Sequence, residues 1–303
     1  MGLLIREYGN RGVNAMKKIK LQKKHSQILR VMFGRGIVSK ICFGMIVFFL
    51  FLAIFAPVLT PYSPTAQELD NILSGPTSEH WLGTDFLGRD LLSRIVYGAR
   101  ISLMASLFSS LIAAIVGTLL GISAGYLGGW YGQIIMRLND TQLSIPNMIL
   151  AMVLVALFSN GVVGVIIIIG FSMVPTYVRL MNGLVLSMKK NDFITAASLI
   201  GQPKFKTLLK HLFPNCVPSV IVLFTMNLGS AIMLEAGMSY LGIGIVPPTP
   251  TWGGMVSEGY RYLTSEPLLA LLPGICIILI VVAFNIFGDG LRDALDPRLR
   301  GKL

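Results

Sequence analysis

The chain has 303 residues, of which 54% are hydrophobic and only 13% are charged. A soluble domain carries about 25% charged residues, so this composition excludes an ordinary soluble protein and indicates a chain that lies in a lipid bilayer. The net charge of +11 does not predict nucleic-acid binding. The basic residues lie between apolar runs and form no single face interleaved with aromatic side chains.

Five long stretches contain no Asp, Glu, Lys, Arg or His, and the third is long enough for two helices separated at Ser159-Asn160-Gly161. A helix needs about 20 apolar residues to cross the hydrocarbon. We therefore predict an all-α polytopic membrane protein with six transmembrane helices. Their predicted bounds are Ile37 to Leu59, Ile101 to Ala124, Leu143 to Phe158, Val162 to Leu186, Val217 to Leu234, and Leu268 to Phe287.

The distribution of Lys and Arg predicts the orientation. Of these 25 residues, 21 fall on the side of both termini and of the loop Arg179 to His211, and 4 fall on the other side. Because positively charged loops stay in the cytoplasm, both termini and this loop are expected there. The first span is too long for the apolar core of a cleaved signal peptide. Met1 and Met16 both remain possible starts.

Signatures of enzymatic chemistry are missing from the sequence. It has no G-x-x-x-x-G-K-[ST] phosphate loop, no H-E-x-x-H helix and no G-x-S-x-G elbow. The cysteines Cys42, Cys216 and Cys276 lie in or beside apolar stretches without metal-ligand spacing, so we interpret them as apolar fillers. We expect no catalytic residue, no metal and no cofactor on this chain.

Glu235 is an acid at the edge of an otherwise uncharged span, which makes it a candidate functional residue. The alternative, which we favour, is an acid at the outer interface that pairs with an outer basic residue.

Residues 193–215 predict two short helices joined at Gly201. Gly201 ends the first helix in the left-handed conformation, Pro203 suits the first turn of the second, and Pro214 stops it. The second helix carries an apolar stripe with the spacing i, i+3, i+4 and i+7, and we predict that a partner groove and the protein's own spans share this stripe. The stripe consists of Phe205, Leu208, Leu209 and Leu212.

This loop resembles the cytoplasmic coupling loop of bacterial ABC importer permeases, whose pattern is Glu-Ala-Ala, three residues, Gly, and later His-x-x-Pro-Asn. Thr195 stands where the family usually has Glu. The residues that match in register are Ala196, Ala197, Gly201, His211, Pro214 and Asn215. The resemblance implies an ATPase-coupling site formed by Phe193, Ala196, Ala197, Gly201, Phe205, Leu208, Leu209, His211, Leu212, Pro214 and Asn215.

Two further stretches narrow the resemblance. Residues 80–94 and 288–298 are similar to the second permease subunit of dipeptide, oligopeptide and nickel importers. As local structure, we expect a compact outer loop with internal charge pairs among Asp85, Arg89 and Asp90, and a solvated basic tail.

The resemblance implies a type I permease-like fold in a bacterial or archaeal plasma membrane. It divides the chain into a basic cytoplasmic segment (1–36), a first transmembrane helix (37–60), an extracytoplasmic loop (61–97), a core permease domain (98–290) that holds five transmembrane helices and the coupling loop (187–215), and a cytoplasmic tail (291–303).

The implied partners are a homologous permease subunit, two cytoplasmic ATPases that bind ATP and Mg, an extracytoplasmic solute-binding protein and membrane lipid. Peptide is the expected substrate, and nickel or a metal chelate is the alternative. An ion-coupled secondary transporter, a different class, would need a coupling site of its own at the midplane. A membrane scaffold would not require the amphipathic loop.

Overall fold

The computed structural model describes residues 37–158 and 161–295. The predictions for the basic N-terminal segment, for Ser159-Asn160 and for residues 296–303 lie outside these ranges. Within them the regular elements are helices, which confirms the all-α fold class. They are α1 (Ile37–Leu59), α2 (Leu91–Leu127), α3 (Gly129–Leu143), α4 (Asn147–Phe158), α5 (Gly161–Met188), α6 (Asp192–Leu199), α7 (Lys204–Thr207), α8 (Phe213–Tyr240), α9 (Trp252–Tyr260) and α10 (Leu268–Leu295), with a 3₁₀ turn at Leu69–Asn71 and a π turn at Leu208–Leu212.

In the described residues, five helices are long and apolar enough to cross a membrane. They are α1, α2, α5, the continuous helix Lys204–Tyr240, and α10. A sixth span is present if α3 and α4, which meet at an angle of 90°, are counted as one broken helix.

Helix α2 begins at Leu91 rather than at the predicted Ile101. The carboxylate of Asp90 caps it, because Oδ2 accepts a hydrogen bond from the backbone N–H of Ser93 at 2.7 Å. The span was predicted to start at Ile101 because the charge-free run begins after Arg100, whereas the helix already includes Arg94, whose side chain is buried.

A stripe of glycines lets α2 and α5 approach closely. A Cβ on Gly121 would lie 2.6 Å from the carbonyl oxygen of Val178, and one on Gly117 would lie 2.7 Å from that of Val174. Small residues that allow two backbones to touch are a standard means of packing helices in lipid. This contact forms the centre of the bundle.

The predicted third span, Leu143 to Phe158, is not one helix. The chain turns by 90° between Leu143 and Asn147. Pro146 lacks a backbone N–H and disfavours the helical conformation at Ile145, which accounts for the break. Because the residues on both sides of the break are apolar, a hydropathy profile does not reveal it.

Pro214 does not stop the second coupling helix, contrary to the prediction. The chain runs on as one helix from Lys204 to Tyr240. Just before the proline, the backbone widens into the π turn, in which the N–H of Phe213 donates to the carbonyl of Leu208. A π turn is a frequent local adjustment within a helix, and here it carries the helix past Pro214.

Candidate functional site

Polar loops and polar side chains lie mainly at the two ends of the helix bundle. The Gly201 end comprises the ends of α2 and α5 together with residues 189–212. The Trp252 end comprises residues 60–90, residues 241–251 and helix α9.

The loop at the Gly201 end is fastened to the spans by a small apolar core. Ile194 of α6 and Leu212 of the π turn are buried, and they pack in one cluster with Ile122 of α2 and Val185 of α5. Lys189 adds a polar link, because its Nζ donates to the carbonyl oxygen of Tyr126 at 3.0 Å. The loop is therefore anchored to the adjoining ends of α2 and α5.

Gly201 joins α6 to α7 in the left-handed conformation, with φ +71°, as predicted. The N–H of Gln202 donates to the carbonyl of Ala197 at 3.0 Å, a bond that typically closes a helix after such a glycine. A Cβ at Gly201 would meet no atom within 4 Å. Glycine is therefore required here by the backbone angle and not by lack of space.

If the loop couples an ATPase, as its resemblance implies, Gly201→Val is expected to reduce ATP-driven uptake several-fold while membrane insertion stays normal. Valine at positive φ costs about 1 kcal/mol or more, and the strain changes the angle between α6 and α7. Gly201→Asn is the matched control, because asparagine tolerates this conformation. Equal uptake by the valine and asparagine variants would contradict the prediction.

The apolar stripe of the second helix is divided between two environments. Leu212 is buried and Leu208 packs against the same cluster, whereas Phe205 is 72% exposed and Leu209 is 47% exposed. Half of the stripe thus packs against the protein's own spans, and the other half is free for a partner.

Two residues that the sequence pattern missed extend the exposed half. Leu199, at the end of α6, is 81% exposed, and Ile200 is 78% exposed. They lie just before Gly201, while Phe205 lies just after it. We call Leu199, Ile200, Phe205 and Leu209 the apolar patch.

The other predicted coupling residues contact one another within the loop or lie at its surface. The ring of His211 lies 6.3 Å from that of Phe193, centroid to centroid, and Asn215 Nδ2 donates to the carbonyl of His211 at 2.7 Å. Ala197 is buried and Ala196 is exposed. The structure therefore places His211 in contact with both Phe193 and Asn215.

At the Trp252 end, two buried arginines share two acids. Arg89 Nε lies 2.6 Å from Asp85 Oδ2, as the predicted loop charge pair requires. The prediction missed Arg94 and Glu258: Oε2 of Glu258 accepts from Arg89 Nη2 at 3.0 Å and from Arg94 Nη2 at 2.7 Å. This arginine cluster ties the loop before α2 to α9.

Glu235 is fully buried and has no basic partner among residues 37–158 and 161–295, so the favoured interpretation of an interfacial acid is wrong. Ser239 Oγ donates to its Oε1 at 2.7 Å and Ser102 Oγ to its Oε2 at 3.3 Å. Ser102 Oγ also accepts a hydrogen bond from the backbone N–H of Trp252 at 3.3 Å. Since Ser102 lies on α2 and Trp252 begins α9, Glu235 on α8 belongs to a buried hydrogen-bond network that joins three helices.

Comparison with known proteins agrees with this arrangement. Residues 117–301 match the inner membrane component of binding-protein-dependent transport systems, and residues 38–76 match the N-terminal transmembrane domain of oligopeptide transport permease C. The chain belongs to this permease family. It is 42% identical over 270 residues to the glutathione transport system permease protein GsiD of Salmonella typhimurium, covering 89% of each chain. The GsiD proteins of Shigella flexneri and Escherichia coli are 42% identical over 257 residues, which is 84% of this chain and 85% of theirs.

Membership confirms the resemblance carried by the three motifs, and the protein is a multi-pass permease subunit of an ABC importer. Two of the motifs lie at opposite ends of the permease. The coupling pattern forms the compact loop at the Gly201 end, and residues 80–94 supply the arginine cluster at the Trp252 end. The motif expected to contact the ATPases and the motif that supplies the arginine cluster therefore lie at opposite ends of the permease.

A buried histidine gives the Trp252 end of the permease a dependence on pH. His80 Nδ1 lies 3.0 Å from Asp90 Oδ1 and Nε2 lies 3.4 Å from Glu68 Oε2. Burial lowers the pKa of His80, but the hydrogen bonds to Asp90 and Glu68 outweigh burial and raise the pKa above its ordinary value of 6.5. The protonated imidazole therefore stabilises the folded state.

The permease is expected to lose thermal stability as the pH rises from below 6.5 through the raised pKa of His80. A group whose pKa is raised by folding stabilises fully below its unfolded pKa, and this stabilisation disappears as the folded form deprotonates. The check is thermal unfolding in detergent across this pH range for the native protein and for His80→Gln. The variant should show a flatter profile, and identical profiles would refute the role of His80.

Proposed function

We propose that this permease forms, with a homologous subunit, a translocation path for small peptides, and that a cytoplasmic ATPase docks on the apolar patch of each subunit. The observation that carries the proposal is the apolar patch itself. It exposes four apolar side chains on a loop that is anchored to two spans. Each Å² of such surface costs roughly 25 cal/mol in water, so a covering partner is favoured.

The sequence supports the proposal that separate partner subunits, and not this chain, bind ATP. The chain has no phosphate loop, and a subunit of this kind needs its free energy delivered through a docking element. ATP and Mg are then bound by the ATPases, and an extracytoplasmic binding protein delivers the solute. ATP shifts the balance between inward-facing and outward-facing states only because it binds one state better.

Two similarities support a peptide as the substrate. The N-terminal match is to an oligopeptide transport permease, and the relatives are described as glutathione transport permeases. Glutathione is itself a small peptide. The shared substrate chemistry is an amide backbone with ammonium and carboxylate groups.

Deletion of the gene tests the proposed substrate. We expect accumulation of labelled glutathione, dipeptides or oligopeptides to fall to background for at least one of these classes and to return when the gene is restored. Nickel accumulation serves as the control. Unchanged uptake of all three peptide classes, together with a loss of nickel uptake, would contradict the proposal and favour the metal alternative.

We further propose that the Gly201 end faces the cytoplasm, supported by the 21 to 4 distribution of basic residues. Single cysteines at Ser78 and Ser265, both exposed at the Trp252 end, should react with an impermeant thiol reagent in intact cells. A cysteine at Lys190, exposed at the Gly201 end, should react only after permeabilisation. The three native cysteines are replaced by alanine in this background. Labelling of position 190 in intact cells would reverse the orientation.

A further inference from the structure

At the Gly201 end, a lysine that follows one helix caps the end of another. Lys189 is the first residue after α5, and its Nζ donates to the carbonyl oxygen of Tyr126 at 3.0 Å and to that of Gly125 at 3.4 Å. Both carbonyls belong to the last turn of α2. The same Nζ lies 5.8 Å from the centroid of the Tyr126 ring, within the range of a cation–π contact. The charged group of Lys189 therefore contacts α2 in two ways.

The end of α2 offers the acceptors that an ammonium group prefers. The last carbonyls of an α-helix find no N–H donor within the helix, and the partial negative charge at this end favours a cation. The N–H of Gly128, just beyond α2, donates to the carbonyl of Ala124 at 3.0 Å. The carbonyls of Gly125 and Tyr126 therefore remain available for Lys189.

The turn that joins Lys189 to α6 is short and closed by hydrogen bonds. The N–H of Asn191 donates to the carbonyl of Met188 at 3.0 Å, and the carbonyl of Asn191 accepts from the N–H of Ile194 at 3.0 Å. Ile194 in turn packs in the apolar core of the loop together with Ile122 of α2. Little slack therefore separates Lys189 from the first helix of the coupling loop.

The close packing of α2 against α5 continues to the level of this lysine. A Cβ on Gly125 would lie 3.0 Å from the Cβ of Val185 and 3.1 Å from the carbonyl oxygen of Asn182. The end of α2 is therefore held in two ways, by backbone packing against α5 and by the ammonium group of Lys189.

The neighbouring lysine makes no such contact. Lys190 is exposed, as Lys189 is, and its backbone N–H donates to the carbonyl of Ser187 at 3.4 Å. Its side chain bonds no group among residues 37–158 and 161–295. Two adjacent lysines thus carry the same charge, and only the ammonium group of Lys189 reaches α2.

We propose that Lys189 is a positioning residue for transport, which makes the end of α2 follow the coupling loop when an ATPase displaces it. This inference rests on the proposed function, since it assumes an ATPase docked on the apolar patch. Displacement of α6 moves Lys189, and the ammonium group draws the carbonyls of Tyr126 and Gly125 with it. Because the contact lies at an exposed site, it adds little to the stability of the fold. Its effect is therefore on the transfer of movement from the loop to α2.

The test removes the charge of Lys189 and keeps the length of the side chain, in the complete importer in proteoliposomes. Lys189→Met is expected to lower both peptide uptake and the stimulation of ATP hydrolysis by the loaded binding protein about fivefold, the loss of one exposed charge-assisted contact. Basal hydrolysis, recovery of the ATPases on co-purification and the melting temperature should stay native, because the apolar patch and the apolar core of the loop are unchanged. Lys189→Arg keeps the charge and several N–H donors and should restore uptake and stimulation.

Lys190→Met is the matched control, because it removes the same charge from the next residue and should transport like the native importer. Equal uptake by Lys189→Met and Lys190→Met would overturn the inference. A loss of ATPase recovery in Lys189→Met would also overturn it, since the lysine would then belong to the docking surface, and a lower melting temperature would show a role in the fold alone. If the native permease recovers no ATPase, it is the proposed function that has failed, and this inference fails with it.

Discussion

Phe205→Asp is expected to abolish most recovery of the ATPases on co-purification and most ATP-driven uptake, while the permease inserts and accumulates normally. Phe205 is 72% exposed and contributes nothing to the apolar core of the loop, so folding should not depend on it. In a docked complex, the substitution removes an aromatic anchor and buries an unpaired charge. Losses of 2 kcal/mol or more are typical of such central contacts, which corresponds to about 30-fold in affinity.

Leu69→Asp is the matched control. Leu69 is about as exposed as Phe205 but lies at the Trp252 end, so this variant should recover the ATPases fully. The direct measurement is the ratio of ATPase to permease after co-purification from the same membranes, with uptake measured in parallel. Normal recovery of the ATPases by Phe205→Asp would show that the motor docks elsewhere.

Glu258→Ala is expected to destabilise the permease by about 3 kcal/mol. Removing one partner from a buried ion pair typically costs about 3–5 kcal/mol, and we expect the lower end because the Glu258 side chain is 20% exposed. Both Arg89 and Arg94 lose an acceptor, and Asp85 remains as their shared acid. The loop before α2 would then separate more easily from α9.

Thermal unfolding in detergent measures this effect. In a chain of this size, about 3 kcal/mol corresponds to a lower melting temperature by several degrees. Glu258→Gln keeps a hydrogen-bond acceptor and should lose less stability. Glu79→Ala removes an exposed carboxylate from the same end and should leave the melting temperature unchanged. Equal melting temperatures for the native protein and Glu258→Ala would contradict the role of the arginine cluster.

The transmembrane spans could be predicted because a helix that crosses the lipid needs a long run of apolar residues. Helix α1 ends at the predicted residue, Leu59, where the polar Thr60 and then Pro61 follow. The start of α2 could not be predicted, because the buried Arg94 is compatible with a helix through Asp85 and through Glu258, which is 164 residues away in sequence. The sequence alone does not show that pairing.

In the candidate site, too, some features could be predicted from the sequence and others could not. The left-handed Gly201 follows from local chemistry, because the flanking helices need a residue without a side chain at that angle. The exposure of Leu199 and Ile200 depends on how the loop packs on α2 and α5, and an apolar pattern alone does not predict it. The pairing of Asp140 with Arg179 joins α3 to α5 across 39 residues of sequence, and the sequence alone does not show it.

The most direct test of the central claim is peptide accumulation in proteoliposomes that contain the purified importer. With ATP available to the ATPases and the loaded binding protein on the opposite side, we predict accumulation against a gradient that persists when proton and sodium gradients are collapsed. Omission of ATP, of the ATPases or of the binding protein should abolish it. Accumulation driven by an ion gradient through this chain without the ATPases would contradict the account.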